Sequence, residues 1–382
     1  SLQQLFDLAG ETLDTCISMA PDNRELREAS TDNWMRAGFM TRAAQVGEAL
    51  DDGSFASAMQ SARLAATLEA SKPIGESNTY VVKQKLAEAR KRLEASDDPE
   101  VKKQAWQVAM FEALMPTYER QVRNRQKDQR ASSEEETTRA TSENAKMLAT
   151  LKDLGEQYPD SVDLQSRLVT IFSQERDFET AKVALDRLEK LPEDAAPNQA
   201  LMKVLSNARY QAAQQNIDAA INFIRKGMES ADRDEALILA RSGANLAIQS
   251  KRGLDAFELL NAVPEAEDGR PSVKLLVQIA TLATALQADS NYPDFEFDFE
   301  GCIQELKETE GKEGSHWRFV EIQQLLAKAD QAATENKNPG MLLQQAADSL
   351  RTVLINRPRW GLAAALGGDI SRRQGFSSEA IR

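Results

Sequence analysis

Apolar positions recur along this chain at helical spacing, and in several places at the spacing of paired helices. Near the C-terminal end Ala346, Leu350 and Val353 follow at four and three residues, one face of an amphipathic helix, with Pro358 five residues on. Ala380 comes 34 residues after Ala346, and Gly375 lies five before it. In the middle, Leu168 and Phe172 precede Phe178, Ala181, Leu185 and Leu188, and Pro192 closes the run. Ile217, Ala220 and Ile224 repeat the pattern. So do Gly253, Ala256, Leu260 and Val263 before Pro264, and, earlier, Gly53, Phe55, Ala58, Ala62 and Ala65. From Ala181 to Ala220 is 39 residues and from Ala220 to Ala256 is 36, so the period is loose. Each run predicts a helix ending in a sharp turn and a second helix, with a small residue where the two cross closely. Strand-type alternation is nearly absent.

A period of 34 residues built from paired helices is that of a tetratricopeptide repeat, and these frames resemble that family. The resemblance is specific over 341–382, fair over 160–265 and 31–70, and poor elsewhere. The family's first-helix signature of Trp, Leu-Gly and Tyr is largely missing; in the last frame those positions read Ala364, Gly367, Gly368 and Ser371. The repeats are therefore degenerate. The resemblance implies an all-α, right-handed solenoid of antiparallel helix pairs. Its repeat-packing positions would be Phe55, Ala58, Phe172, Phe178, Ala181, Ala220, Ala256, Ala346, Pro358, Gly375 and Ala380. It also implies recognition of a peptide or protein on a concave surface lined by first helices. The paired Lys/Arg and Asn of carboxylate-clamp repeats occur in no frame. The last frame runs out at Arg382, so the chain reads as part of a longer array.

On this reading helix pairs occupy 1–75, a long-helix section 76–158, degenerate repeats 159–270, a helical section with an insertion 271–340, and the best repeats 341–382. In the long-helix section Tyr80, Val82, Leu86 and Leu93 predict one helix, and Val101 to about Arg130 a longer one that Pro116 kinks or breaks. The polar run 131–138 reads either as a linker or, the favoured reading, as a helix start, because Ser133 and Glu136 have capping-box spacing. The insertion, 289–300, is different. Phe295, Phe297 and Phe299 alternate with Asp294, Glu296, Asp298 and Glu300. A period of two puts all three rings on one side of an extended segment, and a helix would scatter them. The segment is expected to lie against the helical body, either sealing a gap or occupying the binding groove.

Composition agrees with the pattern: aromatic content is 6%, and Gly and Pro number 18 and 12 in 382 residues. The net charge of −13 argues against binding phosphate backbones or anionic membrane surfaces. No apolar run reaches the length of a membrane span. Cys16 and Cys302 stand 286 residues apart and read as two buried free thiols, which fits a reducing, cytoplasmic compartment. Ser1 is not preceded by a charged-then-apolar leader, although a flanking signal or anchor would escape this sequence.

Candidate chemistry is sparse. The single histidine, His316, sits at an expected helix start that Ser315 can cap, and it reads as structural. One His and two distant Cys do not make a zinc site, and no glycine-rich phosphate loop is present. No catalytic residue, metal or cofactor is therefore assigned. The acidic insertion lacks the ligand order of a calcium loop. The basic stretch Arg120 to Arg130 reads as a solvated helix face. The residues singled out for partner binding are the cluster Arg357, Arg359 and Trp360, and the rings Phe295, Phe297 and Phe299. The function expected is a non-catalytic protein-interaction scaffold. The alternatives are an architectural, self-associating segment or the regulatory arm of an enzyme whose catalytic domain lies elsewhere.

Overall fold

Helices follow one another within each of two units of this chain, most of them packed against a sequence neighbour in the same unit. The computed structural model describes residues 52–72, 76–126, 134–192, 195–196, 198–265, 272–358 and 360–376, with scattered single positions before 52. Among the described residues there is no strand. One unit ends at Ala195 and the other begins at Ala196.

The first unit contains α1 (Phe55–Ser71), α2 (Thr79–Ala95), α3 (Pro99–Lys102), α4 (Ala105–Gln126), α5 (Glu134–Gln157), α6 (Val162–Gln174) and α7 (Phe178–Lys190). Helix α1 packs on α2, α2 on α4, α4 on α5, and α6 on α7. Two expectations change here. The single helix expected from Val101 divides at Lys103–Gln104, because the α3 segment is a one-turn helix capped by Asp98 with Pro99 at its first position. Pro116 then lies inside an unbroken α4. The capping position Ser133 falls outside the described residues, although α5 runs from Glu134. Buried Gln165 ties α6 to the end of α5, its Nε2 donating to the carbonyls of Gly155 (3.0 Å) and Tyr158 (2.9 Å).

The second unit contains α8 (Gln199–Ala213), α9 (Ile217–Ser230), α10 (Arg233–Gln249), α11 (Gly253–Asn261), α12 (Val273–Gln287), α13 (Phe299–Glu310), α14 (His316–Thr334), α15 (Gly340–Asn356) and α16 (Gly361–Arg373). Every helix contacts the next, and α8 reaches α10, α12 reaches α14, and α14 reaches α16. Contacts that stop at the nearest and next-nearest helix are those of an α-solenoid. The anchor alanines Ala181, Ala220, Ala256 and Ala346 are fully buried and Ala58 nearly so. Phe55 and Phe172 are buried, and Phe178 is half-buried at the start of α7.

The turn between paired helices has one repeated construction. Helices α6, α8, α10, α14 and α16 each end with a left-handed residue: Arg176, Gln215, Lys251, Asn336 and Gly375. In each, the next residue's N–H returns to a carbonyl five positions back, as Asp177 does to Phe172 (2.9 Å) and Arg252 to Ala247 (2.8 Å). This is the Schellman motif. The left-handed residue stands five before the anchor alanine at Arg176/Ala181, Gln215/Ala220 and Lys251/Ala256, and Gly53 (φ 78°) stands five before Ala58. Gly375 keeps the same spacing to Ala380, which lies outside the described residues. Around Ala346 the geometry departs. Asn336 is ten residues earlier, the turn through Pro339 is longer, and Ala346 sits one helical turn deeper in its helix. Pro358, exposed, lies two residues beyond the end of α15.

Arg176, Gln215 and Lys251 occupy a region where a Cβ is sterically costly. Replacing each with glycine is expected to stabilise its unit by about 0.5–1 kcal/mol. A rise in denaturation midpoint for each single variant checks this.

Candidate interaction sites

Two side-chain assemblies in the second unit bring together residues far apart in sequence. The first is built on the insertion. After α12 the chain turns at Asp289–Tyr292 and again at Tyr292–Phe295, and then runs as an irregular, non-helical segment to Asp298. Phe295 and Phe297 are half-buried and Phe299 is buried, while Asp294, Glu296, Asp298 and Glu300 are exposed. The alternation thus sorts rings inward and acids outward. The segment is shorter than expected, because Phe299 is already the first residue of α13. Asp298 caps that helix, accepting from the N–H of Gly301 (2.9 Å).

The rings share one receptor. Phe257 of α11 meets Phe295 edge to face at 5.0 Å and Phe297 at 5.9 Å, and Phe297 meets Phe299 at 4.8 Å. Phe257 and Phe297 pack against both hydrophobic clusters of the unit, one spanning α8–α12 and one α12–α16. Beside this strap a cleft of about 500 Å³ opens between α12 and α13. Its apolar wall is Leu276, Ile279 and Phe297, with Cys302, and its rim carries Asn261, Asp298, Glu305 and Glu308. Burial pushes the Cys302 thiol up to about 11, with Glu305 and Asp298 adding to the rise, so this thiol is protonated and unreactive at neutral pH. Cys302 is a free thiol, and Cys16 lies outside the described residues.

The second assembly surrounds Trp360. Its indole stacks on Phe319 (4.6 Å) and meets His316 edge to face (5.1 Å), and the Arg357 guanidinium lies 5.3 Å from the ring centre. Arg357 Nη1 donates to His316 Nε2 at 2.8 Å. Arginine has no acceptor, so Nε2 must offer a lone pair and the ring proton resides on Nδ1, facing Glu310 Oε1. Arg359 lies outside the described residues. The expected cap of α14 is also corrected. Ser315 makes no side-chain cap; Glu310 Oε2 instead accepts from the N–H of His316 (2.9 Å) and of Trp317 (3.4 Å). The carboxylate wins because it can bond the helix end and the imidazole together.

Burial alone would raise the Glu310 carboxyl, but the hydrogen bond from His316 and the two backbone N–H groups hold it below its ordinary 4.5. A carboxyl depressed on folding adds stability above its unfolded pKa and loses it as pH falls through the folded value. Glu310→Gln should therefore be less stable than the native chain at neutral pH. The gap should close as the pH is taken below 4.5, read by urea denaturation along a pH series.

A smaller cleft of about 300 Å³ lies in the first unit, between α5 and the α6–α7 pair, edged by Lys152, Glu156, Glu179 and Arg187 over Leu168 and Phe172. Among the described residues no group of three or more His, Cys, Asp or Glu side chains could hold a metal, and no helix is long and apolar enough to cross a membrane. Sequence reasoning placed the strap and Trp360 but missed Phe257, Glu310, Glu305 and Glu308. Only Glu310, six residues before the lone histidine, left a local trace.

No protein-family model matches this chain, and no curated protein matches it. Solved structures do. One is the structure of Naa15/Naa10 bound to HypK-THB, at 12% identity with a TM-score of 0.28, over 100% of this chain and 62% of that one. Another is the P58(IPK) TPR domain, at 12% identity with a TM-score of 0.21, over 98% of this chain and 94% of that one. This chain thus spans less than two thirds of the first. The helix order and packing described above make it a helical-repeat protein in its own right.

Proposed function

We propose that this chain is a non-catalytic interaction scaffold that binds a peptide or a segment of another protein. The observation that carries this reading is the cleft beside the strap. Its wall is drawn from α11, α12, α13 and the strap, it is apolar below and polar at the rim, and it is open to solvent. Such a pairing of apolar floor and polar edge is the form of a recognition site. A solenoid can build it without a cofactor, since stacked helices leave grooves wherever their side chains do not interlock. Nucleic acid is a poor candidate partner, because the net charge of −13 opposes phosphate.

Panning a random peptide library against the full chain tests the proposal. Enrichment of defined sequences, with crosslinks mapping to Gln304 at the cleft, is the expected result. Absence of enrichment together with concentration-dependent self-association in sedimentation would instead favour an architectural role.

A further inference from the structure

We propose that the cleft between α12 and α13 is specific for a basic segment of a protein partner. One aliphatic or aromatic side chain would seat on Leu276, Ile279 and Phe297, and flanking Lys or Arg side chains would pair with Asp298, Glu305 and Glu308. This rests on the scaffold reading and names the chemistry of its partner.

The rim is acidic without compensation. Asp298, Glu305 and Glu308 line the cleft, no Lys or Arg lines it, and among the described residues no cation pairs with any of the three. Asp298 spends one oxygen on the α13 cap, and Glu308 accepts from Gln304 Nε2 (2.9 Å), so both keep acceptor capacity outward. The strap adds Asp294 and Glu296, both exposed. The single lysine of α13, Lys307, is turned away over the Trp317 ring at 4.5 Å. Carboxylates held together on one rim repel one another, and a cationic partner relieves that repulsion as it binds.

The floor supplies the second half of the specificity. Ile279 is buried, Leu276 and Phe297 are half-buried, and the space above them is about 500 Å³. That is room for one large side chain with part of its backbone, whereas a simple polycation would leave the apolar wall wet. A metal ion fits poorly, since the three carboxylates share the rim with an apolar wall and do not form a metal-holding group. The matching ligand is therefore amphipathic and basic.

The test is fluorescence anisotropy with the full chain and three labelled peptides of equal length. One carries a Leu or Trp flanked by lysines, one replaces the lysines by glutamates, and one replaces the apolar residue by serine. Only the first should bind, and its affinity should fall as ionic strength rises. The double variant Glu305→Gln, Glu308→Gln should weaken binding about three- to tenfold, the range for two exposed charge pairs. Asn261→Trp, which fills the mouth from an exposed rim position, should weaken it at least about tenfold, one buried anchor's worth of binding. Circular dichroism and melting curves check that both variants fold. Equal binding of the acidic peptide, or basic-peptide binding that both variants leave intact, would overturn the proposal. If library panning yields strong binders that are not basic, or that crosslink elsewhere, the scaffold reading stands and this partner assignment fails. If no peptide binds at all, both fall.

Discussion

Serine at positions 295, 297 and 299 together is expected to bring the unit beginning at Ala196 close to unfolding. Phe299 is buried, and truncating a buried phenylalanine costs about 3–5 kcal/mol. Phe295 and Phe297 are half-buried, so about 1 kcal/mol each is a reasonable share of a full side-chain burial. The sum, about 5–7 kcal/mol, is comparable to the whole stability of many domains. The effects will not simply add, because Phe295 and Phe297 share Phe257 and Phe297 also touches Phe299. Their position magnifies the consequence: Phe257 and Phe297 belong to the packing of both hydrophobic clusters, so the strap welds two parts of one solenoid. Urea denaturation should show the loss as a lower midpoint. Replacing Asp294 and Glu296 with alanine should change stability by no more than about 0.5 kcal/mol, as for exposed side chains in general. A triple variant as stable as the native chain would mean that the rings do not hold the strap.

Leucine in place of Ala346 should cost about 1–3 kcal/mol through overpacking. Ala346 is fully buried in the cluster that also holds Leu343, Leu350, Val353 and Phe319, so three added carbons have no vacant volume to enter. The neighbouring Gln345 is exposed on the same helix, and Gln345→Leu should be nearly neutral. The difference in melting temperature between the two variants isolates packing from helix propensity, since both place the same residue in α15. Neutrality at Ala346 would mean that the helix crossing is looser than its burial indicates.

Much of the fold was legible because its logic is local. The anchor alanines were picked from helical spacing alone, and Ala181, Ala220, Ala256 and Ala346 are fully buried. Caps of the usual chemistry, such as Ser54, Asp177, Asn216 and Asp232, stand at helix starts and bond the first turn. The period-two insertion left a signal of its own: Phe295 and Phe297 are half-buried while Asp294 and Glu296 are exposed. What escaped was chemistry that does not announce itself in residue type. Arg176, Gln215 and Lys251 adopt the left-handed conformation because the helix on either side demands it, although nothing in their side chains favours it. Glu310 displaces Ser315 as the cap of α14 because folding brings His316 and that carboxylate together, and a bond to both groups outweighs one hydroxyl. The cleft is more remote still: Asn261, Leu276 and Glu308 come from three helices, and no spacing in a linear chain reports a gap between side chains that fail to interlock. Periodicity records which face each helix buries, whereas the charge and volume of a groove depend on which faces are left over after every helix has found its neighbours.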